Sequence, residues 1–160
     1  MKFNSNGTEK LDAIDRRMVS LLQRDGRMPI VTLAKELGIS ETTARTRLKR
    51  LMNDEIIKVV AVGNPLKLGF EIIGNIKLDI NLKHKDAIIA ALKKIDALKY
   101  VALTTGGNDL DIDFIAGSLD EFKTLIFEKI SRIDGINAVE TSLIVEIIKD
   151  TWDYGTAWDD

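Results

Sequence analysis

The chain has 160 residues, 45% of them apolar and 30% charged, so it holds one average domain or two small ones and excludes a large multidomain enzyme. It has no cysteine and one histidine, His84, which removes the material for disulfides, thiolate metal sites and a His-rich or Ser–His catalytic centre. The net charge of −2 divides unevenly, about +4 over residues 1–64 and −6 over residues 65–160, which suggests one module facing a polyanion and another with a different task.

The first ten residues are polar and read as a loose arm; they lack the apolar core of a secretory leader, and no run reaches the ~18 apolar residues of a membrane helix. A cytoplasmic protein without membrane partners is expected. Asp12 reads as a helix N-cap with Asp15 three positions on, and Ile14, Met18, Leu21 and Leu22 recur at helical spacing until Gly26. Pro29 opens a second helix with Val31, Ala34 and Leu37 as its apolar stripe, and Gly38 stops it. Ile39 fills the turn and Ser40 caps a third helix over about residues 41–53, with Ala44, Leu48 and Leu51 inward. Three short helices with a Gly-Ile-Ser turn before the last spell a helix-turn-helix.

Residues 56–63, IIKVVAVG, are β-branched and predict a strand, and Asn64-Pro65 and Gly69 punctuate a hinge at 63–69. The expected domains are therefore 1–62 for DNA binding and 70–160 for ligand binding and oligomerisation. Within the latter, Phe70, Ile72, Gly74, Ile76, Leu78, Ile80 and Leu82 alternate as a long strand with one buried face. Ala87, Ile88, Ala91, Leu92 and Ile95 form a helical stripe. Strands over residues 100–105 and 109–116 flank the turn Gly106-Gly107-Asn108 as a hairpin. Ser118 and Glu121 form a capping box before Phe122, Leu125, Ile126 and Ile130, and residues 136–148 close the chain as a strand. The order βαββαβ is ferredoxin-like, so the fold class is α+β: a helix-turn-helix followed by a βαββαβ domain. Right-handed crossovers put both helices on one sheet face, leaving the other for a second chain.

The third helix concentrates Arg45, Arg47, Lys49 and Arg50, with Thr42, Thr43 and Thr46 among them and Ser40 at its cap. Long cations suit phosphates and guanine edges, and short hydroxyls suit close approach, which makes these eight residues the candidate DNA contacts. Arg47 and Thr43 are expected at bases, Lys49 and Arg50 at phosphates. Asp109, Asp111 and Asp113 alternate, but the interleaved Leu110, Ile112 and Phe114 favour a strand over a metal loop. Asp109 behind the Gly106-Gly107 turn could hold the ammonium of a free amino acid whose carboxylate meets backbone amides; a plain hairpin turn is the competing explanation. His84 is expected at the surface. Trp152, Tyr154 and Trp158 crowd the tail, where docking on the protein's own body or a partner is favoured over base stacking. No Walker loop, nucleophile elbow or HExxH pattern appears, so neither cofactor nor catalysis is expected.

These pieces, in this order, resemble the Lrp/AsnC family of transcriptional regulators: LDAIDRRMVSLLQRDGR, LAKELGISETTARTRLKRL, NPLKLG, TGGND and GINAVETSLIVEIIK, from residue 11 to about 149. The resemblance implies a homodimer through the sheets, commonly assembled to an octamer. It also implies an amino-acid effector bound between dimers beside the Gly-x-x-Asp turn, which maps to Gly106 and Asp109 with Thr105, Gly107 and Asn108 alongside and Thr141 near the pocket. Glu55 stands where the family often has Gly. Two alternatives remain: an effector-independent architectural DNA binder, and an enzyme like the sirohaem decarboxylases, which share the fold.

Overall fold

In the computed structural model, which describes residues 11–151 and Thr156, the chain divides into two compact units, residues up to Ala61 and residues 62–148. The aromatic tail residues Trp152, Tyr154 and Trp158 lie outside the described residues.

The first unit holds α1 (Ala13–Arg24), α2 (Ile30–Leu37) and α3 (Glu41–Asn53). Each start follows its local chemistry. At α1, Asp12 accepts from the Asp15 N–H at 2.8 Å while the Asp15 carboxylate reaches back to the Asp12 N–H at 3.3 Å, a capping box built from two aspartates. Ser40 caps α3 by accepting from the Thr43 N–H. Gly38, at φ +66°, turns α2 into the Gly-Ile-Ser turn, with the Ile39 N–H returning to the Ala34 carbonyl. Met18, Val19, Leu33, Ala34, Ala44 and Leu51 form the closed core. Val31 departs from expectation: it is 57% exposed, and Leu33, two positions on and nearly opposite on the helix, is inside.

No strand forms over residues 56–63. Ile56 and Ile57 instead pack on the three-helix core, while Val59, Val60 and Val62 face solvent. β-branched residues favour extended backbone, but a strand also needs a neighbouring ladder, and none of the described residues supplies one.

The second unit runs β1 (Ile72–Ile80), α4 (Lys85–Leu92), β2 (Leu98–Leu103), β3 (Leu110–Ala116), α5 (Leu119–Lys123, continued by a π-helical turn over Thr124–Ile130) and β4 (Ile136–Leu143). The sheet is antiparallel in the order β2-β3-β1-β4, the ferredoxin-like arrangement. Ile76, Leu78 and Ile80 of β1 and Leu110, Ile112 and Phe114 of β3 share one face with Ile88 and Leu92 of α4 and Leu125, Ile126 and Ile130 of α5, so both helices cover the same side. Phe114 stacks on Phe122 at 5.3 Å. Gly74 is inward because nothing larger fits: a Cβ there would lie 2.4 Å from the Ser142 carbonyl and 2.6 Å from the Phe114 ring. The opposite face carries Asn75, Lys77, Asp111 and Asp113, with the Asn75 amide donating to both aspartates. The last strand, expected over residues 136–148, stops at Leu143. After Leu143 one further bond joins the Ile144 N–H to Ile73, and Val145 and Ile148 are then 99% and 84% exposed.

Candidate nucleic-acid interface and effector turn

The outer surface of α3 presents Thr42, Thr43, Arg45, Thr46 and Lys49, all exposed. With Ala44 and Leu51 buried, the 100° step of the helix aims Thr42, Thr46 and Lys49 most directly outward and puts Arg45 on the flank. Thr46 Oγ1 donates to the Thr42 carbonyl, and Thr43 Oγ1 shares a 2.8 Å hydrogen bond with Ser40 Oγ, so the hydroxyls are held close to the helix. Among the described residues Arg45 reaches Glu41 alone, at 4.0 Å, and its side chain is 66% exposed.

Arg47 and Arg50 turn instead toward α1. Arg47 Nη1 donates to Asp12 Oδ2 at 2.6 Å and Asp15 Oδ1 at 2.9 Å, and Arg50 Nη2 donates to Asp15 Oδ2. Asp15 is 1% exposed, so each oxygen of a buried carboxylate is satisfied by a different arginine of α3. The hydrogen bond from the Asp15 N–H, together with Arg47, holds the Asp12 carboxyl below its usual range, and the two aspartates push the Arg47 guanidinium up. Thr42, Thr43, Arg45, Thr46 and Lys49 therefore stay at the surface with at most local partners on or beside α3, while Arg47 and Arg50 are paired with aspartates at the start of α1. Nothing in the sequence alone paired positions 12 and 15 with 47 and 50; the i, i+3 spacing of the arginines was the available signal, and charge suggested DNA instead.

At the far end of the second unit, Thr105, Gly106, Gly107 and Asn108 form the β2–β3 turn, closed by Thr104 Oγ1 on the Asn108 carbonyl at 2.7 Å and the Thr104 N–H on the Asp109 carbonyl at 2.8 Å. Gly106 sits at φ +134°, a conformation that glycine adopts without strain. Asp109 is half-buried. Its Oδ2 accepts from the Ile80 N–H at 2.8 Å, and no described cation or donor meets Oδ1. A carboxylate with one oxygen anchored and its charge unmatched is suited to an ammonium. Thr141 of β4, paired in register with Ile76 of β1, lies two strands from β3, about 10 Å by strand spacing, so a single chain does not bring it to the turn. His84, at the start of α4, is exposed.

A three-helix module presenting a hydroxyl- and cation-bearing helix, joined to a ferredoxin-like sheet domain, defines a helix-turn-helix regulator with a ligand-binding domain. Comparison with known proteins agrees: residues 11–52 match the AsnC-type helix-turn-helix domain and residues 75–153 the Lrp/AsnC ligand binding domain. An HTH-type transcriptional regulator of Pyrococcus abyssi is 34% identical over 91% of both chains. The proline dehydrogenase transcriptional activator of Rhizobium radiobacter is 31% identical, covering 92% of this chain and 97% of its own. Among solved structures, AsnC of E. coli superposes with a TM-score of 0.78 at 25% identity over 87% of this chain and 95% of its own. A Neisseria meningitidis transcriptional regulator in complex with L-Met gives 0.81 at 20% identity over 89% and 95%. The chain belongs to the Lrp/AsnC family of transcriptional regulators.

Proposed function

We propose that this regulator binds specific duplex DNA through α3 and that a free amino acid, held at the Gly106–Asp109 turn, modulates it. Supporting the second half is Asp109, whose Oδ2 is fixed by the sheet while Oδ1 and the charge have no described partner. The turn amides beside it suit the ligand's carboxylate. The Neisseria neighbour, solved with L-Met, gives a precedent for that ligand class in this fold. Thr141 joins the pocket from a neighbouring copy, because it is too far from the turn within one chain. The apolar Leu143, Ile144, Val145 and Ile148 support such assembly, to a homodimer and from dimers to an octamer. The division at residues 63–69 separates a DNA-binding part, 1–62, from a ligand-binding and oligomerisation part, 70–160. The role is regulatory rather than enzymatic, in the cytoplasm.

The test is anisotropy of the full chain on duplex DNA from upstream of its own gene and on a shuffled duplex, across salt concentrations and with each amino acid added. A preference of ~10³ or more for the upstream duplex, changed by at least one amino acid, is expected. Asp109→Asn should keep DNA binding and lose the response. Equal affinity for both duplexes would leave an architectural binder.

A further inference from the structure

The start of α1 and the flank of α3 enclose an open recess of about 410 Å³, lined by Asp12, Thr42, Thr43, Thr46, Arg47 and Arg50. Two guanidinium groups and two carboxylates meet at it, so its charges cancel. The two carboxylates are not equivalent. Asp15 is buried and holds both arginines, one on each oxygen, so the arginines stay in place whatever happens at the rim. Asp12 is at the rim, its side chain 50% exposed, and among the described residues it pairs with Arg47 and the N–H of Asp15. Its Oδ2, 2.6 Å from Arg47 Nη1, is an anionic oxygen in a recess walled by arginines and threonine hydroxyls. Arginine and hydroxyl groups of this kind are what hold a phosphodiester oxygen.

We propose that Asp12 occupies the place of a DNA phosphate: it competes for Arg47 with the backbone of the duplex that α3 binds, and so sets how many phosphates the module neutralises. The inference rests on the DNA-binding role of α3. Asp15 keeps the guanidinium pointed into the recess when Asp12 gives way, so no rearrangement of the helices is required. Because the contested ligand is backbone phosphate, Asp12 tunes affinity for all duplexes alike and leaves sequence preference to the outward-facing side chains.

The experiment uses the full chain with Asp12→Ser and Asp12→Asn, each of which keeps a side-chain oxygen for the N-cap while removing the charge. Binding is measured by anisotropy on the preferred and shuffled duplexes over a range of salt, with melting curves for every variant. One more neutralised phosphate should steepen the slope of log K against log salt by about 0.9 and raise affinity about fivefold near 0.15 M salt on both duplexes. Adding Arg47→Gln to either variant should return the slope to the wild-type value. An unchanged or shallower slope in a variant that melts like wild type overturns the proposal, as does a gain that survives Arg47→Gln. If the wild type binds no duplex, the DNA-binding role falls and this inference with it; wild-type binding with an unmoved slope removes the inference alone.

Discussion

Two aspartates show how differently the two units complete their polar groups. Asp15 is buried, and both of its oxygens are satisfied within the same unit by Arg47 and Arg50. Asp109 is half-buried, and the described residues satisfy one oxygen through the Ile80 N–H while leaving its charge unmatched. A carboxylate fully paired inside its own fold serves the fold, since opening it would strand a charge in a dry core. A carboxylate anchored on one side only is stable without a ligand and still has something to offer one. The helix module thus pairs its buried carboxylate internally, whereas the described residues of the sheet domain leave the charge of Asp109 unmatched. Both units have a closed core and leave some apolar residues in solvent, but Val145 and Ile148 of the second go furthest, at 99% and 84% exposed against 57% for Val31 and Val60 of the first.

The strongest way to break this contrast is to take both partners from Asp15. Arg47→Met with Arg50→Met leaves a carboxylate at 1% exposure without a counter-charge. The loss should be about 3–5 kcal/mol in stability of the helix module, read by urea denaturation. A loss below about 1 kcal/mol would mean that water reaches Asp15 and that the cluster is an ordinary surface network.

At Asp109 the comparison sharpens by splitting charge from hydrogen bonding. Asp109→Ala removes the acceptor for the Ile80 N–H, next to a side chain only 4% exposed, and should cost about 1–3 kcal/mol. Asp109→Asn keeps an oxygen for that N–H, so its denaturation midpoint should stay near wild type while the amino-acid response disappears. If the two variants lose stability equally, the charge itself supports the sheet, and Asp109 resembles Asp15 after all.

The legible parts of the molecule were those set by local rules. Asp12, Ser40 and Ser118 cap helices because their side chains reach N–H groups three positions on, and the alternation reproduces the buried face from Gly74 to Ile80 in β1 and from Leu110 to Ala116 in β3, while Leu82, expected on that face, lies past the end of β1 and is 62% exposed. What the sequence concealed depended on partners distant along the chain. The run at 56–63 has strand-forming residues but no described strand to pair with, and residues 144–148 stay mostly β-branched after their ladder has ended. The candidate residues show the same division: the turn between β2 and β3 is readable from Gly106 and Gly107, but the pairing of Arg47 with Asp15 and Asp12 is not, because these lie 32 and 35 positions earlier, in α1 and at its cap.

The smallest expected effect concerns two helix ends that make the same turn with different residues. After α2, Gly38 takes the left-handed conformation and the Ile39 N–H bonds the Ala34 carbonyl. After α3, Glu55 takes it at φ +56°, with its own N–H on Met52 and the Ile56 N–H on Leu51 at 2.9 Å. The hydrogen-bond pattern is the same Schellman closure, but only glycine adopts that backbone without its Cβ crowding the neighbouring carbonyl. Glu55 is the only non-glycine at positive φ among the described residues. It is held there because Ile56 and Ile57 must turn back onto the three-helix core. Glu55→Gly relieves strain of about 1–2 kcal/mol and gives back part of it through the greater freedom of glycine in the unfolded chain. The net should be a gain of about 0.5–1 kcal/mol, seen as a higher denaturation midpoint with DNA affinity unchanged. A loss of stability would mean that the Glu55 side chain contributes more than its backbone costs, and that the two helix ends are alike in geometry only.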